Sequence, residues 1–271
     1  MRAVWVSLSA LGVSPASRSL ARLWSLGVRH VELAIGPLAE RGMDRLVQEY
    51  QRRGVEFRAH HAFALDGPSS TFDLVRSLDE DEMRARLDWL AENGIKVYSV
   101  HAGSYDEGMS RAEAYEVFLS RLAWLTACCA ERGIRLGVET MFAMPPSSRR
   151  ANLLVGLDEI DRFLRDAPEV PLVVDMAHLN IWPDDTLERR LEVFRRARGR
   201  VLEVHVSDND GRRDLHTLTS ERSWWWPFRE VFPDDAPIVI ESRVEGSDER
   251  LRSQLGLLSS GLGGAPQGGP R

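Results

Sequence analysis

The sequence predicts an α/β fold, a single (β/α)₈ barrel whose eight parallel strands are surrounded by helices. The length of 271 residues suits one such domain, because barrels of this kind have about 250 residues. Short β-branched runs alternate along the chain with longer amphipathic stretches, and eight strand–helix units are enough to close a barrel. A doubly wound open sheet is the alternative, but no glycine-rich phosphate-binding sequence follows the first strand.

Eight short runs are predicted as strands because they are apolar and rich in β-branched residues. In chain order they are Ala3–Leu8, His30–Ile35, Glu56–His61, Val97–His101, Arg135–Thr140, Leu172–Met176, Val201–Val206 and Ile238–Glu241. In a barrel of parallel strands, the C-terminal ends of all eight meet at one mouth.

The stretches between these runs have apolar residues at helical spacing. The predicted helices are Ser17–Leu26, Met43–Arg53, Glu80–Asn93, Arg111–Arg132, Leu157–Arg165, Leu187–Arg198 and Ser247–Leu258. Several are followed by the glycine expected just past a helix, at Gly27, Gly54, Gly94, Gly133 and Gly199. After the seventh strand the helical pattern is weak, so only a shortened helix is predicted, around Trp224–Val231.

The barrel is predicted to occupy residues 1–259. The last residues, 260–271, are rich in glycine and proline. We therefore predict that they form a disordered tail.

Composition and charge indicate a cytoplasmic protein. No apolar run reaches the roughly 18 residues of a membrane span, and the N-terminal Met1–Val6 reads as a strand rather than a signal peptide. Cys128 and Cys129, the only cysteines, are adjacent in a helical pattern and are predicted to be reduced. The net charge of −6 does not favour nucleic-acid binding, although a local basic rim could still serve.

Histidines and carboxylates gather at the C-terminal ends of the predicted strands. They are His60, His101, Glu139, Asp175, His178, His205, Asp214, His216 and Glu241. Side chains at these ends converge on the mouth where the active sites of barrel enzymes lie. Imidazole and carboxylate together suit Zn²⁺, Mn²⁺, Fe²⁺ or Co²⁺, so we predict a site for divalent metal.

A simpler explanation exists for each residue taken alone. Glu241 could pair with Arg243, and His101 could be an ordinary packed histidine. However, five of the seven histidines lie at or just after strand ends, each near a carboxylate, which chance placement does not explain. Strand alternation predicts that only one of His60 and His61 enters the mouth, and we assign His60. His30 precedes the second strand and is predicted to lie at the opposite end of the barrel.

The pattern Asp175-x-x-His178, followed by His205 and Asp214-x-His216, resembles the xylose isomerase-like TIM barrel superfamily. This superfamily includes sugar isomerases and epimerases as well as AP endonucleases of the endonuclease IV type. The resemblance covers nearly the whole chain.

The resemblance implies two different metal sites. In the endonuclease branch nine ligands hold three zinc ions, and all nine have counterparts in the set of histidines and carboxylates given above. In the sugar branch one metal is held by a smaller set that matches Glu139, Asp175, His205 and Glu241. The resemblance then implies that Glu139 and Glu241 act as acid and base and that His178 contacts the substrate. One to three metal ions per chain are therefore expected.

The chain departs from both branches. Glu32–Leu38 forms a short turn like that of the sugar enzymes rather than a DNA-gripping loop, and Thr217–Ser220 replaces the glycine-rich turn of the endonucleases. Pro145 and Pro146 lie where ketose epimerases carry a second glutamate. These departures leave both branches open, with the sugar branch favoured.

Candidate substrate-binding residues are Arg149, Arg212 and Trp182. Arginines in loops on the active face could hold a phosphate by paired hydrogen bonds, although a solvated arginine is the more common case. Trp224–Trp226 could stack on a ring or simply pack where the helix is short.

We therefore expect a metal-dependent isomerase or epimerase that acts on a sugar, a sugar phosphate or a similar polyhydroxy carbonyl compound. A multinuclear-zinc phosphoesterase is the main alternative. A metal-dependent lyase, dehydratase or oxygenase, or a barrel that only binds its ligand, would use the same residues. The oligomeric state leaves no mark on the sequence.

Overall fold

A computed structural model describes residues 3–38, 40–63, 72–183 and 186–262. Eight parallel strands form a closed barrel, which confirms the predicted fold. They are β1 (Val4–Ser7), β2 (His30–Leu33), β3 (Glu56–His60), β4 (Val97–His101), β6 (Arg135–Glu139), β8 (Leu172–Asp175), β9 (Val201–Val206) and β10 (Ile238–Ile240). Two further short strands, β5 (Ser104–Asp106) and β7 (Arg150–Asn152), form an antiparallel ribbon outside the barrel.

The register of the barrel sets polar side chains side by side at its C-terminal mouth. In the β4–β6 pair, His101 is the partner of Glu139. In the β8–β9 pair, Asp175 is the partner of His205. Because opposed residues on neighbouring strands point to the same face, both pairs are aimed together into the barrel.

Helices cover the outside of the barrel between consecutive strands. They are α1 (Ala16–Ser25), α2 (Met43–Arg52), α3 (Glu80–Glu92), α4 (Arg111–Glu131), α5 (Leu157–Asp166), α6 (Met176–Asn180), α7 (Leu187–Arg196) and α8 (Asp248–Leu262). The bounds agree with the predicted helices to within two residues at most ends. The short α6 was not predicted.

Two predictions about the chain's weaker segments can be compared with the structure. A 3₁₀ helix at Trp226–Val231 confirms the shortened helix after the seventh barrel strand. The last helix continues to Leu262, so residues 260–262, assigned to the tail, are helical because Leu258 and Leu262 are buried against the core. The rest of the predicted tail, residues 263–271, lies outside the described residues.

The core lies between the helices and the barrel wall, and the tryptophans after β9 belong to it. Trp225 is completely buried, and its indole N–H donates to the carbonyl of Ser207 at 3.4 Å. The Trp224 indole donates to the carbonyl of Met176 at 3.1 Å. Trp226 packs so closely on α8 that a Cβ at Gly261 would lie 2.3 Å from its ring. All three tryptophans therefore have packing roles.

Inside the barrel, below the mouth, the packing is unusually polar. Glu32, Arg58, Ser99 and Glu203 are all buried there.

Cys128 and Cys129 are buried and free, as predicted. None of the helices within the described ranges combines the length and the apolar character needed to cross a bilayer.

Candidate metal centre

The residues predicted from the strand ends converge on the barrel mouth. His60, His101 and Glu139 are the last residues of β3, β4 and β6, and Asp175 is the last residue of β8. His205 lies within β9, and Glu241 directly follows β10. These six side chains come from six of the eight barrel strands.

Glu139 lies at the centre of this group. Its Oε2 atom lies 3.0 Å from His101 Nε2 and 3.5 Å from His60 Nε2. Its Oε1 atom lies 3.2 Å from His205 Nδ1 and 3.9 Å from His178 Nδ1. Each oxygen of the carboxylate therefore faces two histidine nitrogens.

Four side chains form a compact ligand set at the base of the mouth. Glu139, Asp175, His205 and Glu241 each offer one atom within 4.8 Å of all the others, and all four are buried. Both Glu139 oxygens, Asp175 Oδ2 and His205 Nδ1 have no hydrogen-bond partner among the described residues. Unsatisfied buried polar atoms are costly, and a divalent cation would satisfy all of them, so this set fits a metal ion.

A second set shares Glu139 with the first. His60 Nε2 and His101 Nε2 lie 3.1 Å apart, and both face Glu139 Oε2. Two nitrogens bound to one tetrahedral zinc at about 2.0–2.1 Å would be separated by about 3.3 Å. The spacing of the two imidazoles therefore suits a common ion.

A third set lies towards the outside of the mouth. His216 Nε2 lies 2.9 Å from Asp214 Oδ2, and His178 Nε2 lies 3.6 Å from the same atom. The loop that carries Asp214 and His216 is closed at its base by an isolated antiparallel β-bridge between Asp208 and Thr217. The structure thus brings all nine predicted ligands into three neighbouring groups.

His178 is held by the short helix α6. The Asp175 side chain caps this helix and accepts from the His178 backbone N–H at 2.8 Å. The His178 Nδ1 atom lies 2.6 Å from the carbonyl oxygen of Thr140, so Nδ1 carries the proton and Nε2 is left to face Asp214. Asp175 is therefore the last residue of β8, and its carboxylate also orients His178.

Charge is unevenly distributed in the centre. Burial opposes ionisation of Glu139, but the charges of His60 and His178 hold its pKa well below the usual range. Burial, reinforced by the charges of neighbouring carboxylates, raises the pKa of Asp175 to about 7. Although burial opposes protonation of His205, the carboxylates around it raise its pKa well above the usual value. This excess of carboxylate is the environment that a divalent cation neutralises.

A cavity of about 130 Å³ opens above these groups. The lining residues other than the predicted ligands are Ser9, Ala34, Ile35, His61, Ala62 and Phe142. No arginine or lysine occurs among the described lining residues. Apart from the predicted ligands, the wall of the cavity is mostly apolar, with Ala34, Ile35, Ala62 and Phe142.

The three predicted substrate-binding residues lie outside this described lining. Trp182 is buried, and its indole donates to the carbonyl of Met141 at 2.8 Å, which is a packing role. Arg149 and Arg212 have exposed side chains in loops. Their contact with a substrate stays a prediction.

His61 differs from the expectation that only one of the two adjacent histidines enters the mouth. The regular strand ends at His60, and His61 has a positive φ of 44°, so alternation no longer directs its side chain. Its ring stacks on that of His101 with centroids 4.0 Å apart and lines the cavity. His30, at the start of β2, contacts Trp5 at the other end of the barrel, as expected.

Three buried residues below the centre were not predicted as part of the site. They are Glu32, Arg58 and Glu203. A signal for two of them exists in the sequence, because Arg58-x-His60 and Glu203-x-His205 have the two-residue spacing that puts both side chains on one face of a strand. A charged residue in the middle of an apolar strand, such as Glu32, is the same kind of signal.

A model of the xylose isomerase-like TIM barrel family matches residues 20–247 of this chain. The chain belongs to this family. Comparison with curated protein sequences returns no match.

Solved structures similar to this xylose isomerase-like chain include several sugar epimerases. A D-tagatose 3-epimerase-like protein is 18% identical with a TM-score of 0.75, and the alignment covers 97% of each chain. D-psicose 3-epimerase from Clostridium cellulolyticum is 15% identical with a TM-score of 0.66, covering 98% of this chain and 93% of that one. A Thermus thermophilus protein soaked with ZnCl2 is 22% identical with a TM-score of 0.62, covering 97% of this chain and 99% of that one. At these identities the likeness concerns the fold.

Proposed function

We propose that this protein is a divalent-metal-dependent isomerase or epimerase that acts on a sugar or a similar polyhydroxy carbonyl compound. The observation that carries the proposal is the buried set of Glu139, Asp175, His205 and Glu241, whose unsatisfied atoms converge beneath a cavity. The epimerase names of several structural neighbours support the same reaction class.

The four residues of this set would hold the metal. A bound divalent cation would supply Lewis-acid stabilisation of the negative charge that develops on a substrate oxygen when the neighbouring carbon loses its proton. Zn²⁺, Mn²⁺, Fe²⁺ and Co²⁺ all accept imidazole and carboxylate ligands. The geometry of the set does not select among these ions.

Glu139 and Glu241 are the candidate acid and base. Epimerisation requires one carboxylate to take the proton from the substrate carbon and another carboxyl group to return a proton to the opposite face of that carbon. In the barrel order, β8 and β9 separate β6, which carries Glu139, from β10, which Glu241 follows. The two carboxyl groups therefore approach the cavity from different sides.

His178 is the candidate for orienting the substrate. Its Nδ1 proton is engaged by the carbonyl of Thr140, and its Nε2 atom faces the cavity beside Asp214. A side chain fixed in this way by α6 can hold a substrate oxygen in one position.

The described cavity favours a small uncharged substrate over a sugar phosphate. Its volume is about 130 Å³, and neither arginine nor lysine lies among its described lining residues. A phosphate group is usually bound by arginine, lysine or a helix N-terminus.

The proposal is tested by proton exchange at carbon. Purified protein is loaded separately with Zn²⁺, Mn²⁺, Fe²⁺ or Co²⁺ and incubated in D₂O with a panel of ketoses, ketose phosphates and cyclitol ketones. We expect at least one neutral ketose to take up deuterium at the carbon next to its carbonyl, with a new isomer visible by NMR. Deuterium exchange should disappear when a chelator removes the metal ion. If no member of the panel exchanges with any ion, the isomerase and epimerase proposal is wrong.

A multinuclear phosphoesterase is the second candidate. It is favoured by one observation, the presence of the two further groups His60–His101–Glu139 and His178–Asp214–His216 beside the first. Two or three ions in these groups would activate water and stabilise the leaving oxygen. Cleavage of duplex DNA with an abasic site, in the presence of zinc or manganese, would support this candidate. A metal content near one ion per chain, together with no cleavage, would exclude it.

A further inference from the structure

His61 is a cavity residue that has no role in the chemistry described so far. It directly follows β3, it is half-buried, and its ring lines the cavity above the metal centre. Its backbone conformation, the packing of its ring and one unused ring nitrogen together indicate that it binds a ligand.

The backbone of His61 is held in an uncommon conformation. Its φ of 44° lies in the left-handed region, which residues other than glycine adopt rarely and keep only where neighbouring contacts enforce it. Two hydrogen bonds hold it here. The His61 N–H donates to the carbonyl of Ser99 at 2.6 Å, and the hydroxyl of buried Tyr98 donates to the His61 carbonyl at 2.7 Å. These contacts fix the direction in which the side chain leaves the strand end.

The ring of His61 is fixed by contacts of its own. It is stacked on the ring of His101, with centroids 4.0 Å apart and an angle of 9° between the planes, and it packs against Phe72 with centroids 4.4 Å apart. The backbone N–H of His101 also donates to His61 Nδ1 at 3.4 Å. Because the ring is immobilised before any ligand arrives, a contact between it and a ligand costs little conformational entropy.

The second ring nitrogen of His61, Nε2, is the atom left for a ligand. Within the described part of the chain, no residue is hydrogen-bonded to it. The other lining side chains near it offer few polar atoms. Apart from the predicted ligands, Ser9 is the one further polar side chain among the described lining residues, and its hydroxyl group is hydrogen-bonded to that of Ser7 at 2.8 Å.

We propose that His61 is a substrate-binding residue whose Nε2 atom is hydrogen-bonded to a hydroxyl group of the substrate, away from the carbon that loses its proton. Glu139, His178 and Glu241 line the same cavity, so a polyhydroxy compound with its carbonyl group over the metal centre extends its other hydroxyl groups towards His61. A hydroxyl group both donates and accepts, so the contact does not depend on which ring nitrogen carries the proton. The inference rests on the proposed function and names a side chain that favours polyhydroxy substrates.

Two substitutions separate the two nitrogens of the ring. His61→Asn keeps a polar atom close to the position of Nδ1 and has none at the position of Nε2, and asparagine tolerates a positive φ. His61→Gln reaches the position of Nε2 with its terminal amide group. His30→Asn is the matched control, because His30 packs against Trp5 with centroids 4.9 Å apart at the opposite end of the barrel and does not line the described cavity.

The first test measures the binding of xylitol, a polyol that has no carbonyl group and therefore cannot isomerise. Zinc-loaded, ¹⁵N-histidine-labelled protein is titrated with xylitol, and we expect the side-chain NMR signals of His61 to shift. Isothermal titration calorimetry supplies the dissociation constants. His61→Asn should weaken binding by about 2–10-fold, the effect of one lost neutral hydrogen bond. His61→Gln should recover most of this loss, and His30→Asn should bind xylitol as the wild type does.

The second test uses the ketose identified by deuterium exchange. His61→Asn should raise its KM by about the same 2–10-fold and leave kcat nearly unchanged, because a contact with a remote hydroxyl group is equally strong in the bound substrate and in the transition state. A role in folding alone would lower the melting temperature of the variant and leave KM as it is.

Three results would overturn the inference: His61 signals that do not move with xylitol, undiminished xylitol binding by His61→Asn, or an equal loss in His30→Asn. If His61→Asn does not fold, His61→Phe keeps a ring against His101 and Phe72, lacks both nitrogens and should show the same loss. Xylitol binding that depends on His61, without exchange in any ketose, would support the inference while the proposed function fails. Exchange with an unchanged KM in His61→Asn would do the reverse.

Discussion

At the scale of single residues, Glu139 lies within 4 Å of four histidines of the centre. Replacing it with glutamine keeps the shape but removes a metal-facing charge and the candidate acid or base. We expect Glu139→Gln to reduce deuterium exchange at the substrate carbon by about 10²–10⁴-fold or more while the protein remains folded. Glu116→Gln, on the exposed face of α4, is the control. Near-wild-type exchange in Glu139→Gln would refute its role.

We expect the thermal stability of the metal-free protein to depend on pH because of the pair formed by His216 and Asp214. Burial opposes protonation of His216, but its hydrogen bond to Asp214 and the charge of Glu241 raise its pKa to about 9. The stabilisation from protonated His216 is therefore complete below about pH 6.5, the ordinary value, and is lost as the pH rises through about 9. Melting temperatures measured in chelator between pH 6 and 10 should fall across this window. Asp214→Asn should flatten that fall, and an equal slope in the variant would contradict the assignment.

The nine ligands could be predicted because each is a histidine or carboxylate near the C-terminal end of a strand or in the segment that follows it, and topology fixes where these segments lie in a barrel. Glu32, Arg58 and Glu203 were missed because they lie deeper in the strands, where charged side chains are usually excluded and are tolerated only when paired. The orientation of His61 was missed for a local reason, since its positive φ breaks strand alternation at that one residue.

At the scale of elements, α6 links helix capping to metal binding. Asp175 is its N-cap and also a member of the four-residue ligand set. Asparagine caps helices as well as aspartate does, whereas alanine costs about 0.5–2 kcal/mol. We therefore expect Asp175→Asn and Asp175→Ala both to lose metal affinity, with Asp175→Ala less stable by about 1 kcal/mol. Urea unfolding in chelator measures the difference, and equal stabilities would mean that the cap contributes nothing.

The barrel strands and main helices were predictable because each has a long or repeated apolar pattern. The elements that the sequence did not indicate are short. The ribbon of β5 and β7 has three residues per strand and carries the polar residues Asp106 and Arg150, so no alternation is visible. The helix α6 has five residues, and its capping aspartate was interpreted only as a ligand.

At the scale of the whole molecule, metal should stabilise the fold, because the ligands lie on many strands and come together only in the folded state. Zinc at 100 times its dissociation constant should add about 2.7 kcal/mol to the free energy of unfolding, a rise of roughly 5–10 °C in melting temperature for a domain of this size. Differential scanning calorimetry with and without zinc measures it. Glu241→Gln should lose most of the rise, whereas Glu116→Gln should retain it. An unchanged melting temperature in the wild type would exclude a site that requires the closed barrel.

The order of the ligands along the chain has a consequence for folding. His60 and Glu241, which delimit the six ligands at the strand ends, are separated by most of the sequence, and Glu241 reaches the mouth only when β10 pairs with β1 and β9. Contacts so distant along the chain form late, because the intervening loop entropy must be overcome first. Metal capture is therefore a kinetic marker of barrel closure. In a refolding reaction, zinc uptake should follow the formation of helices and coincide with the final step.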